Sequence, residues 1–217
     1  MTLNTKGPCA QCAKKYSAGK ASSHLLQCIA QTYTPSDLTS EGYLIRVSSN
    51  DYPSLYWMFL TIPKDFTLRI LNDFLRDIWL ECCGHLSAFY IGDLEYSSHP
   101  ISGDGTLSMN KKMSQLMSPG LKFGYTYDMG SSTDLRLEVV ASLVACPFDD
   151  ITPMMRNDPP AFSCEMCDKP AEIICTLCGG KTCTDCREKH SCVVNEDDTY
   201  MLATLVNSPR TGVCGYE

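Results

Sequence analysis

Residues 121–143 read LKFGYTYDMGSSTDLRLEVVASL, and this stretch decides the fold of the central part of the chain. Apolar side chains occupy every second position from Leu121 to Tyr127 and again from Leu135 to Leu143. Alternation of this kind places one set of side chains on a single face of an extended strand. The stretch therefore predicts two long β-strands joined by a turn over Asp128 to Asp134.

The residues before this stretch add further strands and a helix. Tyr43 to Val47 and Leu55 to Ile62 are rich in β-branched and aromatic residues, which favours strands. An apolar stripe at helical spacing begins after Thr67, a residue suited to cap a helix, and ends before Gly84. We therefore predict an α+β domain over residues 42–146, with a central mixed sheet, covering helices and small zinc-stabilised modules on either side.

The cysteine content separates the two ends of the chain from this domain. The 217 residues include 14 cysteines and carry a formal net charge of -7. No apolar run approaches the ~18 residues of a membrane span, and Met1 to Gly19 lack the pattern of a secretory signal. We therefore expect a cytoplasmic protein with no membrane segment. In a reducing compartment, cysteines clustered at two-residue spacings favour metal binding over disulfides.

The N-terminal cysteines have the spacing of a zinc finger. Two residues separate Cys9 from Cys12, which suits the turn that presents two sulfurs to one ion. Three residues separate His24 from Cys28, which places both side chains on one face of a helix. We predict a C2HC zinc finger over residues 1–31, followed by a polar linker over residues 32–42.

Three further cysteine pairs lie within residues 160–217. The pattern is Cys164-x2-Cys167-x7-Cys175-x2-Cys178-x4-Cys183-x2-Cys186-x3-His190-x-Cys192. It predicts a cysteine-rich module with two zinc ions and a structured C-terminal tail, so that three Zn2+ ions are expected per chain.

The order of these ligands resembles the B-box and MYND cross-brace fingers. That resemblance implies one site formed by Cys164, Cys167, Cys183 and Cys186, and a second formed by Cys175, Cys178, His190 and Cys192. Pairing in sequence order is also compatible with the spacing, as is Cys214 in place of Cys192.

Each predicted set supplies four protein ligands, which is typical of a structural zinc site and not of a catalytic one. Ten thiolates and three divalent ions would lower the net charge of -7 by four, to about -11. Of the remaining cysteines, Cys82, Cys83 and Cys146 are predicted to be core or linker residues and Cys214 a buried thiol. Four prolines predict a second linker over residues 146–163.

Three segments of the central domain are similar to a known family. They are Thr67 to Trp79, Gly84 to Gly92 and Phe123 to Gly130. These segments resemble the plasmid pRiA4b ORF-3-like family, and the whole chain is similar to its zinc-bearing subgroup. The resemblance implies an α+β domain with no established reaction, which in some members is linked to plasmids or transposable elements. Many relatives carry Tyr-Asp-Phe-Gly-Asp at the end of the third segment, and of the two acidic residues in that motif this chain retains only Asp128.

Two hypotheses for function involve binding. The first is a non-catalytic adaptor whose zinc modules contact an unidentified protein partner. The second is a nucleic-acid-associated accessory protein, because Lys14, Lys15 and Lys20 make the N-terminal finger basic. The acidic charge of the whole chain disfavours general attraction to nucleic acid, and we therefore favour the adaptor.

An enzyme is the third hypothesis, with a site around Asp128. His85 and His99 are the other candidates for acid–base chemistry once His24 and His190 are assigned to zinc. Structural roles fit these residues better, because Asp128 begins a predicted turn, where aspartate bonds to the backbone, and His85 follows a helix-ending glycine. No catalytic residues are therefore assigned.

Overall fold

The two alternating segments lie at the centre of an eight-stranded sheet. The structure is a computed structural model that describes residues 4–33, 40–146 and 149–217. Phe123 lies opposite Leu137 and Tyr125 opposite Leu135, as the predicted pairing of two apolar faces requires. The strands are β1 (Lys6–Pro8), β2 (Lys15–Ser17), β3 (Ser40–Ser49), β4 (Trp57–Pro63), β5 (Ser87–Ile91), β6 (Leu94–Ser97), β7 (Leu107–Ser108), β8 (Lys122–Tyr127), β9 (Thr133–Cys146), β10 (Thr152–Arg156), β11 (Ile173–Cys175), β12 (Lys181–Thr182) and β13 (Leu202–Thr204).

The sheet is mixed, with the strand order β10-β4-β3-β9-β8-β5-β6-β7. Its neighbouring strands are antiparallel except for β6 and β7, which run parallel. Two small sheets accompany it, a β1–β2 pair near the N-terminus and a three-stranded β12-β11-β13 sheet near the C-terminus. The α+β class is confirmed.

Helices cover one face of the central sheet. Helix α2 (Leu68–Leu75) continues as a π-helical turn over Arg76–Leu80, and the hydroxyl of Thr67 caps its start by accepting from the Ile70 N–H. Leu71, Leu75 and other apolar residues of this helix are fully buried against the sheet. Within the described ranges, no helix is long and apolar enough to cross a membrane.

The predicted finger covers the opposite face. Helix α1 (Ala18–Thr32) buries Ala21 and Leu25 in one apolar cluster with Leu44 of β3 and Phe59 of β4. All seven residues of β4 are buried, because α2 covers one face of the strand and α1 the other. The finger therefore shares its core with the central sheet.

The predicted linker over residues 146–163 is wrong for Thr152–Arg156, which form β10 at the edge of the sheet. The register between β10 and β4 shifts after Pro153. An edge strand with an irregularity tolerates proline, whose missing N–H would break a central ladder. The sheet therefore extends past the predicted boundary at residue 146. Residues 147 and 148, and residues 34–39 of the predicted linker over 32–42, lie outside the described residues.

The C-terminal module is built from β11, β12 and β13 and two 3-10 helices, Thr184–Lys189 and Glu196–Met201. Strand β11 pairs with β12 on one side and with β13 on the other. This arrangement folds the end of the chain back across the module, as the predicted structured tail requires.

Strand β1 of the finger approaches β10 so closely that a side chain has no room between them. The backbone N–H of Ala10 donates to the carbonyl of Met154, and the backbone N–H of Asp158 donates to the carbonyl of Lys6. A Cβ atom added at Gly7 would lie 2.0 Å from the Arg156 carbonyl oxygen. Glycine is therefore required at this position.

We predict that Gly7→Ala lowers the free energy of unfolding of the whole protein by about 1–3 kcal/mol, because the added methyl group separates the finger from the sheet. The matched control is Gly19→Ala in α1, where an added Cβ meets nothing within 4 Å. That control should stabilise the helix by up to about 1 kcal/mol. Urea denaturation of both variants tests this, and equal stabilities would contradict the shared core.

Candidate metal centres

Four clusters of cysteine and histidine side chains could hold metal ions, and within each the four ligand atoms lie within 4.8 Å of one another. Every cysteine whose side chain the structure describes belongs to one of them. We call them cluster 1 (Cys9, Cys12, His24, Cys28), cluster 2 (Cys164, Cys167, Cys183, Cys186), cluster 3 (Cys175, Cys178, His190, Cys192) and cluster 4 (Cys82, Cys83, His85, Cys214). Clusters 1 to 3 bring together the twelve residues predicted from sequence. Clusters 2 and 3 have the ligand grouping of a cross-brace finger, and their ligands are not paired in sequence order.

Clusters 1 to 3 each begin with a cysteine turn of the same form, which we call a knuckle. In each, the first cysteine donates its N–H to the carbonyl five residues later, over 3.0 Å at Cys9, 2.7 Å at Cys164 and 2.8 Å at Cys175. Its carbonyl accepts from the residue four positions later. That residue has a positive φ in all three knuckles, at Ala13, Asp168 and Gly179.

The repeated turn explains why two-residue spacing works. A single left-handed residue turns the chain back and brings both sulfurs of the pair to one side. The knuckle also directs backbone donors at sulfur, since Met166 N–H lies 3.5 Å from the Cys164 Sγ and Gly180 N–H lies 3.3 Å from the Cys178 Sγ. Such donors favour the thiolate form, which is the form that binds metal.

In cluster 1, α1 supplies the second pair of ligands. His24 and Cys28 lie one helical turn apart on the face that packs toward the knuckle, as their spacing predicts. The His24 Nε2 is 3.4 Å from the Cys12 Sγ, and the Cys9 and Cys28 sulfurs are 3.9 Å apart. The Tyr16 ring stacks on the imidazole of His24, with 4.1 Å between centroids, and holds its orientation.

Clusters 2 and 3 interleave along the chain. The Cys167 sulfur is 3.6 Å from that of Cys183 and 3.5 Å from that of Cys186. Cys183 caps the 3-10 helix Thr184–Lys189, and Cys186 lies within it. The Cys178 sulfur is 3.2 Å from the His190 Nε2 at the end of that helix. One short helix therefore supplies ligands to both clusters and fixes the distance between them.

The pKa values of two cluster 2 thiols are shifted in opposite directions. Hydrogen bonds from backbone N–H groups, first that of Cys183, lower the pKa of Cys164 to about 6. Contact with the Cys167 thiol, followed by burial, raises the pKa of Cys186 to about 12. The protein alone thus favours one thiolate in the set and disfavours the next, because like charges repel at this distance. A divalent ion would remove that repulsion.

Cluster 4 was missed by sequence reasoning, and the prediction of a buried thiol at Cys214 is wrong. Cys214 and Cys83 are exposed, while Cys82 packs against the apolar core as predicted. The adjacent pair Cys82–Cys83 lacks the two-residue spacing of a knuckle, and Cys214 lies 131 residues from Cys83. The signal available in the sequence was that Cys82, Cys83 and Cys214 were left over once the other described cysteines had been assigned to clusters 1 to 3.

The residues proposed for acid–base chemistry have structural contacts. Asp128 is buried, accepts from the N–H groups of Gly130 and Ser131 as a turn residue should, and pairs with Arg210 over 2.7 Å. The Arg210 guanidinium is the main cause that lowers the pKa of Asp128 to about 2. His99 lies outside the four clusters. Asp128 is therefore a carboxylate held by an arginine.

Of the three finger lysines proposed to contact nucleic acid, one is already engaged. The Lys15 Nζ lies 2.7 Å from the Asp158 carboxylate, just after β10. This ion pair joins the finger to the sheet, at a partly exposed position where it adds little stability. The other lysines of the finger are Lys6, Lys14 and Lys20.

No family model matches the chain, and no curated protein matches it either. Among solved structures, the chain is similar to a protein of unknown function from Methanosarcina mazei Go1, with 16% sequence identity and a TM-score of 0.46. The match covers 55% of this chain and 70% of that one. That protein has no known activity, so the likeness assigns none here.

We predict that Gly180→Ala reduces bound zinc by one ion per chain. An added Cβ would lie 2.8 Å from the His190 Cε1 and 3.2 Å from the Cys178 Sγ, so it would force two ligands of cluster 3 apart. Elemental analysis of untagged protein measures the change, with Gly19→Ala as the control that keeps the wild-type content. Unchanged zinc in Gly180→Ala would contradict cluster 3 as a metal site.

Proposed function

We propose that this chain is a zinc-binding, non-catalytic interaction protein, whose metal-held modules present a surface to a protein partner. The observation that carries the proposal is the tip of the cluster 3 knuckle, where Leu177 is 69% exposed between Cys175 and Cys178. The tip of the cluster 2 knuckle is also apolar, since Met166 is 48% exposed. Neither side chain packs into a core, so their contribution to folding is small.

A further exposed side chain belongs to a segment that is hydrogen-bonded to the cluster 3 knuckle. The N–H and hydroxyl of Thr176 both donate to the carbonyl of Met201, which joins the knuckle to the segment that carries Tyr200. Tyr200 is 81% exposed. Aromatic and apolar residues held on a rigid support are the usual anchors of protein interfaces.

Charge favours a protein partner over nucleic acid for this surface. Acidic residues outnumber basic ones across residues 160–217, and zinc-bound thiolates would keep the module negative. A partner with an apolar pocket bordered by basic residues would complement it. The alternative, nucleic-acid binding through Lys14 and Lys20, would instead show affinity that falls steeply with salt.

The complete ligand sets support the non-catalytic part of the proposal. Clusters 1 to 3 each offer four sulfur or imidazole donors, which leaves no coordination position for water or substrate on a tetrahedral ion.

We also propose that the central domain belongs with the plasmid pRiA4b ORF-3-like family and that the protein is cytoplasmic. The free thiols grouped for metal binding support a reducing compartment.

We predict that Leu177→Asp abolishes partner capture without loss of zinc, because the side chain lies at the knuckle tip and outside the ligand set. The measurement is cross-linked pull-down from the native host, quantified by mass spectrometry, at low and high salt. Ile101→Asp is the matched control, because Ile101 is 67% exposed in a loop of the central domain.

The expected result is a set of proteins recovered with the wild type and Ile101→Asp but lost with Leu177→Asp. Recovery of the same proteins with both variants would contradict the knuckle tip as the interface. Recovery of nucleic acid that disappears at high salt would favour the N-terminal finger instead.

A further inference from the structure

Cluster 4 joins two distant parts of the chain. Cys82, Cys83 and His85 follow the π-helical turn of the central domain, and Cys214 belongs to the C-terminal tail. The His85 Nε2 lies 2.9 Å from the Cys83 Sγ and 3.5 Å from the Cys214 Sγ. The Cys83 sulfur is 3.3 Å from that of Cys82 and 3.6 Å from that of Cys214.

These distances fit metal coordination and not disulfide bonding. A disulfide requires sulfurs about 2.05 Å apart. Around a tetrahedral zinc ion with bonds of about 2.3 Å to sulfur, the ligand sulfurs lie about 3.8 Å apart. The separations in cluster 4 are close to the 3.5–3.9 Å found in clusters 1 and 2.

The backbone at Cys214 is held in an unfavourable conformation. Its φ is 52°, in the left-handed region that non-glycine residues seldom adopt. Such a conformation costs free energy and persists where surrounding contacts fix it, often at a functional position. Here the turn directs a sulfur toward three other ligand atoms. A thiol with only a packing role would not explain this conformation.

A buried cation, paired with the Asp128 carboxylate, lies beside the sulfurs of cluster 4. Three thiolates, a neutral imidazole and a divalent cation have a net charge of -1. The guanidinium of Arg210, which is fully buried, lies 3.4 Å from the Cys82 Sγ and 2.7 Å from the Asp128 carboxylate. Arg210 also donates to the Ser131 carbonyl and the Thr133 hydroxyl, so its position is fixed from several sides.

We propose that Cys82, Cys83, His85 and Cys214 bind a fourth zinc ion, which fastens the C-terminal tail to the central domain. Three sulfurs and one imidazole nitrogen are a donor set typical of structural zinc. The bond to Cys214 adds to the hydrogen bond from the Ser208 hydroxyl to the Trp79 carbonyl and to the contacts of Arg210. Asp128 and Arg210 act as positioning residues. The proposal does not depend on the proposed function.

Cluster 4 differs from the other three in accessibility. Cys83 and Cys214 are exposed, and Cys82 and His85 are half-buried, whereas clusters 1, 2 and 3 each contain buried ligands. A chelator therefore reaches the cluster 4 ion most readily. We expect this ion to leave first and the tail to lose its attachment before the three predicted sites are emptied.

Native mass spectrometry of the untagged full-length protein tests the site. We expect four zinc ions on the wild type, and three on Cys214→Ser and on His85→Gln. The matched control is His99→Gln, which changes a histidine outside the clusters and should keep four. Hydrogen exchange should show protection of residues 207–217 falling at least tenfold in both cluster variants.

Three zinc ions on the wild type would overturn the proposal, even if a variant fails to fold. A Cys214→Ser protein that retains the wild-type zinc count would also overturn it. So would a Cys214→Ser protein that loses one ion while the hydrogen exchange of residues 207–217 stays as in the wild type. Titration with a chelator gives a separate test, in which the first ion removed should release the tail. Release of the tail only after the last ion leaves would contradict the attachment.

Discussion

Within the Cys/His clusters, neighbouring sulfur atoms lie 3.3–3.9 Å apart, and thiolates at that separation repel one another. Without a cation, most of these thiols must stay protonated, and a protonated thiol is a weak hydrogen-bonding group that does little to hold a turn. A divalent ion favours the thiolate form instead, because it binds deprotonated sulfur and holds four side chains around one ion. The C-terminal module has few buried apolar residues beyond its cysteines, so bound ions would contribute much of its order.

A metal ion in cluster 1 would also affect the central domain. Helix α1 carries two ligands of cluster 1 on one side and buries Leu25 against the sheet on the other. Strand β4 is buried on both faces only because α1 covers the face that α2 leaves open. An ion in cluster 1 would therefore stabilise the sheet through the finger that it organises. The Lys15–Asp158 ion pair and the close approach at Gly7 support the same packing.

Local sequence patterns were sufficient for features that repeat over short distances. The alternation in residues 121–143 predicted β8 and β9, and the capping hydroxyl of Thr67 marked the start of α2 correctly. Of the four cysteine pairs with two-residue spacing, three form knuckles with one backbone pattern. The fourth pair, Cys183 and Cys186, lies at and within a 3-10 helix. Each of these features depends on residues that are close in sequence.

Features that depend on distant contacts could not be predicted in this way. The strand at Thr152–Arg156 contains a proline, and only its place at a sheet edge makes that residue acceptable. The packing of α1 on β4 joins segments that carry no shared motif. Cluster 4 was not predicted because the adjacent cysteines Cys82 and Cys83 lack the two-residue spacing of a knuckle. Its fourth member, Cys214, also lies 131 residues from Cys83 in the sequence.

X-ray absorption at the zinc edge of the fully loaded protein tests most directly whether these clusters are complete structural metal sites. The four clusters together offer thirteen sulfur and three nitrogen donors. The spectrum should therefore show more than three sulfurs per ion at about 2.3 Å, imidazole nitrogen at about 2.0–2.1 Å and no oxygen ligand. An oxygen ligand, or fewer than three sulfurs per ion, would contradict the account and indicate an open coordination position.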